Sequence, residues 1–295
     1  HAVCAEPRGI AFNDADASLY VACATGDVVR LSEAGVEQER WQLEPDLRDV
    51  IVVDGQVKVS LFRAAAILGL DGSRMDIPTN GDQTPRVAWR TWLASSGDIA
   101  VLHQVASTRP VPINPDPEDL PEDGSPYGGG GGECQLGIVN SAITTFSQGF
   151  ATTTVLVDSN LTVDAVFAAD NSQVVMAAPG VIRPEDIVEP KPKKGGFNTI
   201  DVDFGTSVPR STVRVNPKDD PGCFSDSTPE HDYGQATAVA TTLTGLVVIQ
   251  SREPAQLVVM DVFGSGPVTI PLQGESRFDT GHEIFHRATD SGLSC

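Results

Sequence analysis

Five cysteines provide the most specific chemistry that can be read from this 295-residue chain. Cys4 and Cys23 flank two predicted strands near the start of the sequence, where a disulfide would join neighbouring strands. Cys134 and Cys223 each lie at the edge of a long insertion, so a second bridge could tie the two loops together. Other pairings remain open, and Cys295 is then the odd thiol. Cysteine usage of this kind is typical of exported proteins and predicts a periplasmic, cell-surface or secreted location.

Trp89, Trp92 and His103 form an aromatic and imidazole grouping within two predicted strands. One interpretation is core packing around a histidine whose ring nitrogens are hydrogen-bonded. The alternative is a pocket lining in which a tryptophan and the histidine contact a ligand.

A polar turn near the start of the chain offers a possible cation site. Its oxygen-bearing side chains are those of Asn13, Asp14 and Asp16. Side chains of this type also close tight turns by hydrogen-bonding to their own backbone. The segment lacks the glycine and the distal glutamate of a calcium-binding EF-hand loop, so a turn is the favoured interpretation.

These residues lie on a repeated pattern of strands. Segments resembling the meander Gly234–Phe263 recur, with Gly9, Asp49, Arg90, Asp164 and Ala238 in register at intervals of 40, 41, 74 and 74 residues. We call this the repeated position. A spacing of about 40–45 residues with several short strands per repeat is typical of a β-propeller blade. The sequence therefore predicts an all-β propeller of four-stranded antiparallel blades, with five repeats visible and six or seven blades if the ring is closed. An ordinary β-sandwich is the alternative.

Each of the 74-residue intervals contains one 26-residue insertion, Thr108–Glu133 or Gly205–Glu230. Both insertions are rich in proline, glycine and carboxylates, and we expect loops because such composition buries little apolar surface. The predicted domains are a propeller over residues 1–272 and a different segment over residues 273–295.

The charge of the chain restricts its partners. Aspartate and glutamate outnumber lysine and arginine 40 to 20, which gives a net charge of −20. A surface of this sign repels nucleic acid and anionic lipid, so neither is an expected partner. The sequence also lacks an apolar stretch of about 20 residues, so no membrane span is expected. The first residue is His1 rather than methionine, which suggests a processed or truncated chain.

The last segment, GHEIFHRATDSGLSC, resembles the start of the c-type haem domain of bacterial proteins related to di-haem cytochrome c peroxidases. Upstream segments such as EPRGIAF, LRDVIVV and VAWRTWLASSGDIAVLHQ resemble the propeller half of those proteins. The resemblance implies that Cys295 is the first thiol of a haem attachment motif and that residues 273–295 are a linker leading into a truncated cytochrome domain. It also implies that His282 and His286 could be axial or neighbouring residues of a haem; the alternative is that they are surface residues of the linker.

The motif's second thiol and its histidine do not follow Cys295, so this chain is expected to hold no cofactor, with haem c belonging to the longer protein. The function implied is an exported propeller module of a peroxidase-like electron-transfer protein, which docks a protein partner or the following cytochrome domain and has no catalytic residues of its own. A stand-alone extracellular binding or scaffold propeller is the second hypothesis. A propeller enzyme is the third, but Asp49 and Asp164 share the repeated position with Gly9, Arg90 and Ala238, so no ring of carboxylates is expected there.

Overall fold

The computed structural model describes residues 3–94, 96–108, 138–156, 162–167, 174–178, 208–213, 223–224, 236–242, 244–252, 254–261 and 266–273. These residues form 20 β-strands in five sheets and contain no helix. The chain divides into two compact units, the first holding sheets 1–3 and the second holding sheets 4 and 5.

Sheets 1 and 2 are four-stranded antiparallel meanders in which each strand pairs with the next along the chain. Sheet 1 contains β1 (Pro7–Asn13), β2 (Ser18–Cys23), β3 (Asp27–Ser32) and β4 (Glu37–Gln42). Sheet 2 contains β5 (Leu47–Val53), β6 (Gln56–Leu61), β7 (Ala66–Gly69) and β8 (Arg74–Asp76). The β5–β6 hairpin turns on Asp54 and Gly55, both with positive φ, as a two-residue Asp-Gly hairpin requires.

Sheet 3 is also an antiparallel meander, with one short parallel strand added at its edge. It contains β9 (Gln83–Leu93), β10 (Ile99–Ser107), β11 (Val139–Ser147) and β12 (Phe150–Leu156), and β16 (Cys223–Phe224) pairs with β12. The predicted insertion Thr108–Glu133 thus falls between β10 and β11; residues 109–133 lie outside the described part of the chain.

The second unit contains sheet 4 and sheet 5. Sheet 4 has β13 (Asp164–Phe167), β14 (Val174–Ala178) and β15 (Val208–Val213). Sheet 5 has β17 (Ala236–Thr241), β18 (Leu246–Ser251), β19 (Gln256–Asp261) and β20 (Val268–Pro271). Sheet 5 reproduces the predicted meander, including the outer strand expected over Gly266–Leu272.

Within each unit, neighbouring sheets enclose apolar side chains between their faces. Tyr20 and Val28 of sheet 1 pack with Val59 and Leu68 of sheet 2. Another core joins sheets 2 and 3, and a third joins sheets 4 and 5 around Ile249. Face-to-face stacking of successive four-stranded antiparallel sheets is blade packing, so the predicted β-propeller fold class is confirmed.

The repeat register is confirmed by the first strand of each sheet. The strands β1, β5, β9, β13 and β17 carry Gly9, Asp49, Arg90, Asp164 and Ala238, the residues that were aligned from sequence. Three residues before the repeated position, the backbone adopts positive φ in sheets 1, 2 and 3, at Glu6, Asp46 and Val87. Side-chain-bearing residues adopt this conformation rarely, so its recurrence shows that the three blades begin in the same way.

Two boundaries predicted from sequence are wrong. From the repeat alignment, the sequence predicts a fourth repeat over Thr153–Gly180, but residues up to Leu156 belong to β12 of sheet 3, and sheet 4 begins with β13. The insertion Gly205–Glu230 was expected to be loop, but β15 lies within it and pairs with β14, and β16 lies within it too. The sequence of β15, VPRSTV, holds three β-branched residues, which favour a strand although the surrounding composition is typical of loops. The predicted strand Phe197–Phe204 lies outside the described residues.

No helix of the described residues is long and apolar enough to cross a membrane.

Candidate functional site

The residue immediately before the repeated position lies at a β-bulge in four of the five sheets. Strand pairing is interrupted between Pro7 and Gly9, between Leu47 and Val50, and between Ala236 and Ala238, and again opposite Trp89 in sheet 3. A bulge leaves its extra residue unpaired and redirects that side chain. The residues placed in this way are Arg8, Arg48, Trp89 and Thr237. The first three come from consecutive blades of one compact unit, and their side chains meet.

These three side chains assemble around Phe62, which follows the last residue of β6. The guanidinium carbons of Arg8 and Arg48 lie 5.7 and 5.3 Å from the centre of the Phe62 ring. The Trp89 ring meets the Phe62 ring edge-on at 5.3 Å. We call Arg8, Arg48, Phe62 and Trp89 the arginine–aromatic cluster. Both contact types are attractive because the π-face of an aromatic ring is electron-rich.

Backbone hydrogen bonds fix Phe62 between two blades. Its N–H donates to the carbonyl of Asp46 at 2.8 Å, and its own carbonyl accepts from Ala88 at 2.6 Å. Ala24 holds the matching place in sheet 1, where its N–H donates to the carbonyl of Glu6 at 3.0 Å. The position of Phe62, at the centre of the cluster, is therefore fixed by backbone hydrogen bonds at the junction between sheets 2 and 3.

Asp46 balances the arginines on one side of the cluster. Its carboxylate accepts from Arg8 Nη1 at 3.1 Å and from the backbone N–H of Arg63 at 2.9 Å. The Arg63 side chain lies 3.6 Å from the same carboxylate. One carboxylate thus serves the guanidinium groups of Arg8 and Arg63.

Arg48 is held through one nitrogen only. Its Nε donates to the carbonyl of Trp89 at 3.2 Å, and its guanidinium lies over Phe62. Among the described residues, its two terminal nitrogens have no hydrogen-bond acceptor and no carboxylate within ion-pair distance. Beside it, the indole Nε1 of Trp89 is buried and has no hydrogen-bond partner in the described part of the chain. The terminal nitrogens of Arg48 and the Nε1 of Trp89 are thus hydrogen-bond donors without an acceptor among the described residues, and both residues are half-buried.

The carboxylates at the repeated position have a structural role. Asp49 Oδ2 accepts from the backbone N–H of Thr91 at 2.7 Å, which links β5 to β9. Asp164 Oδ2 accepts from the backbone N–H of Val239 at 3.0 Å, which links β13 to β17. Burial raises the pKa of Asp49, while the hydrogen bond from Thr91 and the charges of Arg90 and Arg48 oppose the rise. Each aspartate therefore joins two successive blades of its own unit.

Gly9 holds the repeated position in sheet 1 for a related reason. A Cβ at this residue would lie 2.7 Å from the carbonyl oxygen of Arg48 and 2.7 Å from the Cα of Asp49. The backbones of β1 and β5 are in contact here, so no side chain fits. Asp49 spans the space between sheets 2 and 3, and Asp164 spans the space between sheets 4 and 5. Between sheets 1 and 2 the two backbones touch directly, so no side chain is needed.

His103 is fully buried in sheet 3, as the core-packing interpretation expected. Its Nδ1 lies 3.0 Å from the carbonyl of Gln104, which can only accept, so Nδ1 carries the proton. Its Nε2 therefore accepts from the Thr144 hydroxyl at 2.8 Å, and Thr144 in turn accepts from Thr153 at 2.8 Å. Burial lowers the pKa of His103 to about 4. The imidazole is therefore neutral, and both of its nitrogens are hydrogen-bonded. Of the three residues grouped from the sequence, Trp89 belongs to the arginine–aromatic cluster, whereas His103 and Trp92 are buried in the core.

The polar turn after β1 is an Asx turn. The Asn13 side-chain oxygen accepts from the N–H of Ala15 at 3.1 Å, and its nitrogen donates to the carbonyl of Gly55 at 3.2 Å. Asp16 accepts from the Tyr20 hydroxyl at 2.7 Å and pairs with Arg30 at 3.1 Å. The described residues contain no group of three or more histidine, cysteine or acidic side chains placed to hold a metal ion.

The disulfide Cys4–Cys23 is present, as the sequence predicted. Cys23 ends β2 and Cys4 precedes β1, so the bond closes the edge of the first hairpin. Cys223 begins β16, but Cys134 lies outside the described residues, and the second pairing stays a prediction. His282, His286 and Cys295 also lie outside them, so the proposed haem contacts are not described.

A sequence signal for the cluster did exist. Arg8, Arg48 and Trp89 precede three successive repeated positions, which the alignment of repeats already displays. Phe62 could not be recognised in this way, because its partners come from neighbouring blades.

No protein-family model and no curated protein matches the sequence. Among solved structures, the β-propeller domain of Cps50 (Swd1) from Myceliophteria thermophila is similar at 9% identity and a TM-score of 0.48, over 87% of this chain. This chain covers 65% of that domain, which is less than two thirds of its length.

Two further structures are similar to the same degree. Regucalcin, a calcium-binding protein from Agrobacterium tumefaciens, has 9% identity, a TM-score of 0.48 and coverage of 92% of this chain and 76% of its own. A gluconolactonase from Xanthomonas campestris has 14% identity, a TM-score of 0.48 and coverage of 92% and 77%. Identities this low concern the fold alone. The resemblance of the last segment to a haem protein stays a prediction.

Proposed function

We propose that this chain is a non-catalytic recognition module that docks a protein partner through the arginine–aromatic cluster. The observation that carries the proposal is the gathering of Arg8 and Arg48 over the ring of Phe62, beside Trp89, in a chain of net charge −20. Arginine and large aromatic residues dominate the energetics of protein interfaces.

The sign of the charge supports a protein partner with a local acidic patch. The arginines of the cluster attract a carboxylate-bearing segment at short range. The rest of the surface repels long polyanions, and this repulsion extends over about 8 Å at physiological ionic strength. A nucleic acid would meet that repulsion along its whole length.

In the longer protein, we further propose that this module serves a cytochrome c peroxidase-like partner domain. The support is the resemblance of the segment containing His282, His286 and Cys295 to the start of a c-type haem domain. A stand-alone binding propeller is the alternative, and it uses the same cluster. Expression in a host with active cytochrome maturation separates the two. A chain extended along its gene past Cys295 should acquire a Soret band, and the present chain should not.

The docking proposal is tested with a fluorescein-labelled pentapeptide of alternating glutamate and phenylalanine. Fluorescence anisotropy should show binding that weakens as salt is added, since the attraction between exposed charges is screened. The double substitution of Arg8→Gln and Arg48→Gln should reduce affinity by about tenfold or more, equivalent to about 1.4 kcal/mol. Arg252→Gln removes the same kind of charge outside the cluster and should leave affinity unchanged. Equal affinity in the double variant and the Arg252 variant would refute docking at this site.

A further inference from the structure

We propose that the arginine–aromatic cluster is a carboxylate-binding site in which Arg48 holds the two oxygens end-on and Phe62 and Trp89 contact an adjoining apolar group. The inference deepens the proposed docking function by naming the chemical group that the site recognises.

The hydrogen bond that Arg48 already makes determines which side of its guanidinium group can bind a carboxylate. A guanidinium group presents five N–H donors in a flat fork, and a carboxylate fits it through two parallel hydrogen bonds. The side of the fork that includes Nε is used by the carbonyl of Trp89. The end of the fork, with both terminal nitrogens, is without an acceptor among the described residues. Because the ring of Phe62 and the carbonyl of Trp89 already restrain the side chain, little further ordering is needed on binding.

Trp89 gives an independent indication that an acceptor is missing. Its Nε1 is buried without a hydrogen-bond partner in the described part of the chain, although buried polar groups are nearly always bonded. Arg48 and the Trp89 ring both contact Phe62, so this donor belongs to the same small group of side chains.

The surroundings favour a single carboxylate over a phosphate. Asp46 and Asp49 lie beside the arginines and add negative charge, which penalises a dianion more than a monoanion. The half-buried rings of Phe62 and Trp89 suit a carboxylate attached to a ring or an alkyl chain. Arg8 lies over the same Phe62 ring and adds attraction, but its Nη1 already donates to Asp46 and its Nη2 lies 3.9 Å from Glu6.

The inference is tested by calorimetric titration of the intact chain with benzoate, benzamide and inorganic phosphate. Benzoate should bind, whereas benzamide, which has the same shape without charge, and phosphate should bind at least tenfold more weakly. Arg48→Lys retains the charge but lacks the fork, and it should lose about tenfold or more in benzoate affinity. Arg252→Gln should bind benzoate as the unaltered chain does. Thermal melts confirm that each variant is folded.

Three results would overturn the inference: benzamide binding as well as benzoate, phosphate binding better than benzoate, or an Arg48→Lys variant that binds benzoate with unchanged affinity. The peptide of the docking test separates the two proposals. If it binds through the cluster with its glutamates replaced by glutamine, docking holds and the carboxylate inference fails. If benzoate binds through Arg48 and the peptide does not bind, the carboxylate inference holds and docking fails.

Discussion

Asp49 of β5 accepts a 2.7 Å hydrogen bond from the backbone N–H of Thr91 in β9, and this bond joins two successive blades. Asp164 makes the same bond to Val239 in the second unit. A carboxylate repeated at the start of propeller blades is easily taken for part of a ligand-binding ring. In this protein each carboxylate accepts a backbone hydrogen bond from the next blade, and the proposed recognition uses residues one position earlier.

Replacing Asp49 by alanine should destabilise the protein by about 1–3 kcal/mol, because the buried N–H of Thr91 loses its acceptor. Asp49→Asn retains an acceptor oxygen and should cost less. Urea denaturation measures both free energies of unfolding. The exposed Glu33, which makes no hydrogen bond or ion pair in the described structure, supplies the control: Glu33→Ala should change stability by no more than about 0.5 kcal/mol. Equal effects of Asp49→Ala and Glu33→Ala would show that the bond does not stabilise the blade junction.

Gly9→Ala should destabilise the protein by about 3 kcal/mol, at the upper end of the range for overpacking, since the new methyl group would meet backbone atoms of β5. Gly245→Ala is the control. Its Cβ would meet no atom within 4 Å, so its cost is limited to a positive φ of 82° and should be about 1 kcal/mol. Thermal or urea unfolding of both variants gives the comparison. A Gly9 variant as stable as the Gly245 variant would mean that β1 and β5 can move apart at little cost.

Acid should destabilise the protein through His103. Burial holds the folded-state pKa of His103 at about 4, below the ordinary histidine pKa of 6.5, so between these values the unfolded chain binds a proton that the folded chain does not. Stability from this group is complete above pH 6.5 and falls with pH by about 1.4 kcal/mol per unit until about pH 4. The raised pKa of Asp49 acts in the opposite sense, because the folded state then holds the proton more tightly.

His103→Gln isolates the histidine contribution, since Asp49 is common to both proteins. Urea midpoints measured at several pH values should fall less steeply for the variant than for the unaltered chain below pH 6.5. Parallel curves would show that His103 becomes protonated without loss of the fold.

The sequence reveals the first strands of the blades better than the last. β1, β5 and β17 are rich in apolar and β-branched residues, and their alignment gave the correct register. The outer strands β4 (EQERWQ) and β8 (RMD) were missed, because an edge strand that faces solvent carries no apolar alternation. β15 was missed for a different reason, since its six residues lie within a loop-like composition.

The cluster itself was only half visible in the sequence. The positions of Arg8, Arg48 and Trp89 follow from the repeat, but the bulges that redirect their side chains depend on strand pairing. Their common contact, Phe62, is brought to them by hydrogen bonds between blades. A β-bulge and a contact between blades both depend on how strands pair and pack, so neither can be recognised from a single sequence.

The most direct test of the account is the indole N–H spectrum of the protein during titration with benzoate. The chain has three tryptophans, so ¹⁵N labelling of tryptophan gives three indole signals that substitution can assign. The account predicts that the Trp89 signal shifts with saturable dependence on benzoate. The Trp41 signal should stay in place, because Trp41 stacks on Tyr20 away from the cluster. Arg48→Lys should abolish the Trp89 shift. A Trp89 signal that stays in place throughout the benzoate titration, or one that moves equally in the Arg48→Lys variant, would contradict it.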